Sequence, residues 1–223
     1  MHYNFAFMQE VFELVYKDLK TDWRNRYPVF GILLYLSAII IISYMSFMNF
    51  IKPEVWNALF WLIILFTSVN AIAKSFMQEE NRTTYLYFVA SPVKIIAAKL
   101  IYSNLYQFVL ILISIVIFSL LLGSPGNLNA WFFVNLFVGS IGLASAFTMV
   151  SSLASKTENN ATLMAILGFP IVIPILLMAT SISKQLILGA PASDITSDLL
   201  TLLSVNVIII ALSFILFPFT WKS

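Results

Sequence analysis

Glu79, Glu80, Arg82 and Lys94 fall in the most polar internal stretch of an otherwise apolar chain, 75–99, and Ser91 and Pro92 sit among them. Both signs of charge in one stretch can recognise a complementary surface, where charge sets partner choice and register more than raw affinity. A simple solvated loop explains the same residues equally well. Other chemistry is sparse. The chain has no Cys, so disulfides, thiol catalysis and thiolate metal sites are excluded. Its single His is His2, at the extreme N-terminus, which leaves only Met and Tyr as weak candidates for ligating haem iron. No GxxxxGK[ST] phosphate loop occurs, so energy for any work must come from another subunit. A net charge of +2 is too small to suggest nucleic acid. No catalytic, cofactor-binding or metal-binding residue is identified.

The elements that carry these residues are membrane spans. Of 223 residues, 61% are hydrophobic and 10% charged. The mean hydropathy is +0.95. Soluble domains carry about 25% charged residues, so the solvent for this surface must be lipid. A span needs about 20 apolar residues. Six fit, at roughly 28–48, 55–74, 98–122, 131–154, 161–181 and 199–220. None has an ionisable side chain at its middle, where ion pathways and proton relays usually carry one. Ser91-Pro92 reads as a helix start, with Ser as cap and Pro at the first helical position. Gly123-Ser124-Pro125-Gly126-Asn127 reads as a turn. The polar segment holding Lys184, Pro191, Asp194 and Asp198 reads as the connection before the last span.

Residues 1–27 form a separate unit from the spans at 28–223. They lack the basic start and apolar core of a signal peptide, since Glu10, Glu13, Asp18 and Asp22 interrupt the apolar residues. Residues 7–24 predict an amphipathic helix. Val11, Val15, Leu19 and Trp23 form its apolar stripe, flanked by Met8 and Phe12, with Glu10, Glu13, Lys17, Lys20 and Arg24 opposite. That pattern suits a helix lying in the membrane interface. Basic residues set the orientation. With both termini in the cytoplasm, ten lie inside (Lys17, Lys20, Arg24, Arg26, Lys74, Arg82, Lys94, Lys99, Lys156 and Lys222), and only Lys52 and Lys184 outside. Trp56, Trp61 and Trp131 then fall near the outer interface as an aromatic belt, and Trp23 and Trp221 near the inner one.

Two features inside the spans stand out. Gly139, Ser140, Gly142, Ala144, Ser145 and Ala146 give small-xxx-small pairs that let helices approach closely, either as packing within one bundle or at a subunit or moving contact. Pro170 and Pro174 each remove a helical hydrogen bond, giving a static kink, or a hinge or re-entrant turn near a substrate path.

From about Phe12 to Trp221 the chain resembles the cytochrome c maturation protein B family, the membrane subunit of haem-exporter type ABC complexes. The resemblance rests on three elements. One is the acidic stretch Phe76-Met77-Gln78-Glu79-Glu80. The next is Leu86-Tyr87-Phe88-Val89-Ala90-Ser91-Pro92 leading to Lys99, similar to the family's LLxSP…K element. The last is Pro170-Ile171-Val172-Ile173-Pro174, similar to its PxxxP element. Asn81-Arg82 departs from the Gly that members often carry there. The resemblance implies the six-helix fold of ABC exporter permeases with an N-terminal interfacial helix, in the inner membrane. It also implies a coupling segment after the second span, so that Glu79, Glu80, Arg82, Ser91, Pro92 and Lys94 are the expected contact with a separate ATPase subunit. ATP would be bound by that partner. Haem would be handled by the complex, together with the haem-handling membrane protein of the same pathway, for haem export or release of the haem-loaded chaperone. Two other readings stay open: a permease of the same fold for a lipid or drug, and an assembly scaffold without a transport cycle.

Overall fold

The computed structural model describes residues 2–24, 26–47, 51–77, 91–126, 128–154 and 160–222. Among these residues the chain is all α-helix. The helices are α1 (His2–Arg24), α2 (Arg26–Phe47), α3 (Pro53–Met77), α4 (Pro92–Leu122), α5 (Ala130–Ala154), α6 (Asn160–Ile187) and α7 (Ala192–Lys222). Helices α2 to α7 are each long and apolar enough to cross a membrane. The expectation of an all-α, six-span membrane protein is met. An even number of spans puts the two ends of the chain on one side of the membrane.

The packing order is a ring around one helix. Helix α5 touches α3, α4, α6 and α7. Those four also touch one another in the closed order α3, α6, α7, α4. Helix α2 lies outside the ring against α3 and α4. Burial follows: 78% of the α5 span is buried, against 22% for α2. Its small residues make this possible. A Cβ on Gly139 would lie 2.5 Å from Cη2 of Trp61 and 3.2 Å from Cβ of Ala179. One on Gly142 would collide with Oδ1 of Asn206 and lie 2.9 Å from Cγ2 of Ile175. Ala144 and Ala146 are fully buried. In lipid, helices associate through such close packing and interhelical hydrogen bonds rather than through hydrophobic burial.

The hydrogen bonds come from side-chain amides and an indole. Asn57 donates to Thr180 O (2.8 Å) and Asn135 to Ala179 O (2.9 Å) and Ser183 Oγ (2.7 Å). Trp61 Nε1 donates to Ser183 Oγ at 3.0 Å, so α3, α5 and α6 meet at one hydroxyl. Asn206 Nδ2 donates to Val138 O at 2.7 Å and ties α7 to α5.

Two tryptophans correct the reading from sequence. Trp56 and Trp61 are core residues, not members of an interfacial belt. Trp56 stacks on Phe60, meets Phe118 edge-on and donates to Gly123 O at 3.0 Å. A buried indole needs a partner for its N–H, and both have one. Trp131 remains exposed.

Helix ends also move. Helix α4 starts at Pro92, six residues before the apolar span begins. At about 1.5 Å per residue its 31 residues reach about 46 Å, beyond the ~30 Å of hydrocarbon. Helices α6 and α7 run through most of the polar segment that read as a connection. Only 188–191 separates them, with Gly189 at φ 87 making the turn. Asp194 lies in the first turn of α7, where the helix dipole favours an acid. Of the turn expected at 123–127, residues 123–126 are described: Gly123 (φ 76) ends α4, and Gly126 has φ 135.

Candidate functional site

The start of α4 is where the chain's polar residues converge. Pro92 occupies the first helical position, where its missing N–H costs nothing. Ser91 is extended, and its carbonyl accepts from the N–H groups of Lys94 (3.0 Å) and Ile95 (3.2 Å). Ser91 is the N-cap residue expected from sequence, although its hydroxyl makes no capping bond. Glu79, Glu80 and Arg82 lie outside the described residues.

Helix α1 lies along this first part of α4. Val11 and Val15 are buried against Ala97, Ala98 and Tyr102. Three polar links flank that apolar seam. Lys94 Nζ is 2.5 Å from Glu10 Oε2. Lys99 Nζ is 2.9 Å from Asp18 Oδ2. Tyr102 donates its hydroxyl to Asp22 Oδ2. Partners 10, 18 and 22 meet 94, 99 and 102 in the same order, so the two helices run in the same sense.

The links differ in weight. The side chains of Glu10 and Lys94 are 44% and 22% exposed. Such pairs contribute roughly 0–1 kcal/mol. Asp18 and Lys99 are only 10% and 6% exposed. Removing one partner of a buried pair costs about 3–5 kcal/mol, because a charge is left without compensation. Of the two ion pairs, Asp18–Lys99 is therefore the more costly to break.

This corrects the predicted stripe on α1. Val11 and Val15 are buried, but Leu19 is exposed and Trp23 is 81% exposed. The protein-facing side continues instead through Asp18 and Asp22, and Glu10 of the expected polar face reaches Lys94. Met8, Phe12, Tyr16, Leu19 and Trp23 form a second apolar side that faces away from the bundle. Sequence reasoning missed Asp18, Asp22 and Tyr102, and marked Lys99 only as the end of the LLxSP…K element. The signal was two acids four residues apart on the side carrying Val11 and Val15, with a lysine at the head of an apolar span to match them.

The other singled-out residues stand elsewhere. Gly139, Gly142 and Ala146 are on α5, buried at contacts with α3, α6 and α7. Pro170 and Pro174 are exposed on α6, which continues as helix through both. No re-entrant turn forms between them.

Among the described residues no three of His, Cys, Asp or Glu come together as metal ligands. A rigid helix begins where the charged segment ends, and a second helix is fastened to it. Residues 9–220 match the family described as CcmB protein. The chain belongs to the CcmB family. Membership in this family of membrane permeases implies a role in haem export for cytochrome c maturation, within an ABC complex that has an ATPase partner. Together with six apolar helices it makes the chain a multi-pass inner-membrane protein of the ABC permease type. No curated protein matches the chain.

Proposed function

We propose that this chain is the permease subunit of an ATP-driven complex, and that a separate ATPase drives it through the segment carrying Glu79, Glu80, Arg82, Ser91, Pro92 and Lys94. The observation that supports this most is the tie at the start of α4. The charged segment feeds directly into Ser91-Pro92, and α4 then runs unbroken for 31 residues. The buried Asp18–Lys99 pair fastens α1 to it. A push on the segment would thus tilt a rod and carry α1 along. The chain has no phosphate loop of its own, so ATP is bound by the partner.

The closed ring around α5 bears on the cargo. Helix α5 fills the axis with buried side chains, so a path for a large solute does not run through one copy. Cargo would pass at a surface shared with another subunit. Haem would be handled there by the complex, with the haem-handling membrane protein of the pathway, while this chain binds none itself. Both termini would lie in the cytoplasm, following the ten-to-two bias of basic residues. Reporter fusions in the 123–129 and 155–159 connections should read outside and inside respectively. The reverse result would overturn the orientation. The proposed role is tested by capturing the tagged chain from native membranes. An ATPase and cytochrome c maturation proteins should come with it. Capture with export or resistance proteins instead would favour another cargo, and capture alone would favour neither transport reading.

A further inference from the structure

Where α3, α5 and α6 meet, two side-chain oxygens accept no hydrogen bond from the described residues: Oδ1 of Asn57 and Oδ1 of Asn135. Both side chains are enclosed, Asn57 at 1% exposure and Asn135 at 0%. Neither amide can be turned round to relieve this. Asn57 Nδ2 lies 2.8 Å from Thr180 O, and Asn135 Nδ2 lies 2.9 Å from Ala179 O. Exchanging nitrogen and oxygen would set two acceptors against each other at those distances.

The third open group is the hydroxyl hydrogen of Ser183. Ser183 Oγ accepts from Trp61 Nε1 at 3.0 Å and from Asn135 Nδ2 at 2.7 Å. Indole and amide nitrogens only donate, so both lone pairs of the hydroxyl are used and its hydrogen points elsewhere. The three open groups share one height in the bundle. Ala179 and Thr180 are neighbours in α6, about 1.5 Å of rise apart, and they hold the two amides level. The Asn135 nitrogen reaches Ser183 as well, which brings the hydroxyl to the same place.

The chemistry of the three groups selects the ligand. Two N–H groups converge on Ser183, which disfavours a cation, and two amide oxygens stand beside them, which disfavours an anion. A small neutral molecule with two donors and an acceptor meets every need. Buried polar groups are seldom left without a partner, and buried waters make about three hydrogen bonds each. We propose that one ordered water is bound between α3, α5 and α6, donating to Asn57 Oδ1 and Asn135 Oδ1 and accepting from the Ser183 hydroxyl. It links two asparagines that otherwise meet only through α6. The site is independent of any ATPase or haem.

The test is X-ray hydroxyl-radical footprinting of the full chain in lipid nanodiscs, read by mass spectrometry. The pulse makes radicals from water, so a buried side chain is oxidised only beside a bound one. Trp61 and Trp56 are both buried. Trp61 shares Ser183 Oγ with the water, whereas Trp56 donates to Gly123 O. Trp61 should be oxidised and Trp56 should not. Asn57→Leu with Asn135→Leu fills the site with apolar atoms and should abolish oxidation of Trp61. Asn57→Leu alone leaves both bonds to Ser183 in place. It should give the same loss, and it serves if the double variant lowers the unfolding temperature. Asn206→Ala, which cuts a tie between α7 and α5 instead, should leave Trp61 as it is in the parent. Absence of Trp61 oxidation in the wild type, oxidation that survives filling of the site, or a loss with Asn206→Ala equal to that of the filling variants would overturn the proposal. So would a density map of the wild type in which a protein group donates to either Oδ1.

Discussion

Replacing Lys99 by Met should loosen α1 from the bundle without disturbing the spans. The substitution keeps the length of the side chain and removes the charge 2.9 Å from Asp18. Breaking a buried pair costs about 3–5 kcal/mol. Lys17 lies 3.4 Å from the other oxygen of Asp18 and retains part of the compensation, which points to the lower end, about 3 kcal/mol. At about 1.4 kcal/mol per factor of ten, α1 should open roughly 150 times more often. Because the chain has no Cys, a single probe can report this opening. Val15→Cys places a thiol in the seam, at a position 4% exposed, and Trp23→Cys gives an exposed control. Maleimide labelling at position 15 should be slow in the parent and roughly two orders of magnitude faster with Lys99→Met, while labelling at 23 stays constant. Glu10→Gln, which removes the exposed pair, should change the rate by no more than about fivefold. Adding Asp18→Asn to Lys99→Met should recover much of the loss, since no buried charge then remains. Labelling within threefold of the parent, or equal effects of Lys99→Met and Glu10→Gln, would refute the reasoning.

Gly142→Ala should lower the unfolding temperature, because overpacking costs about 1–3 kcal/mol, and Asn206→Ala in the same chain should restore part of it by removing the atom in the way. An additive double variant in thermal unfolding would contradict that geometry. Pro170→Ala with Pro174→Ala should keep or raise thermal stability, since both positions are exposed and the change returns two helical N–H groups. A marked loss of stability would show that the prolines shape the packing of α6. The purified chain mixed with haem should give no one-to-one Soret band of a ligated iron, and a band abolished by changing one Met or Tyr would show a ligand overlooked in sequence.

What could be read from the sequence follows from how lipid selects residues. Six apolar runs announce themselves because hydrocarbon tolerates nothing else over ~20 residues. The small residues of α5 are visible for the same reason, since lipid gives helices no other cheap way to pack. The order of helices around α5 is not visible, because every span is equally apolar and no periodicity names a neighbour. Helix ends were misread where polarity was taken for a loop. Lys184, Asp194 and Asp198 stand near the facing ends of α6 and α7, so their polarity does not mark a place where the backbone leaves the helix. Trp56 and Trp61 share their residue type with interfacial tryptophans, and only the partners Gly123 and Ser183 reveal them as core. The α1–α4 tie was hidden by distance: Asp18 and Lys99 are far apart in the chain, and each alone looks like a solvated charge.

The coupling role of the charged segment is tested most directly by the double change Glu79→Lys with Glu80→Lys, read as co-purification of the ATPase with the tagged chain. Neither residue belongs to a span, so the amount of chain in the membrane should stay the same. Reversing both charges should release the ATPase, or leave it bound with its hydrolysis uncoupled, and cytochrome c should fail to mature in either case. A truncated charge contact at a buried interface costs roughly 2–5 kcal/mol, ample for that loss. A variant that still holds the ATPase and supports normal cytochrome c levels would contradict the account and move the coupling surface elsewhere, with residues 156–160 next to be tested.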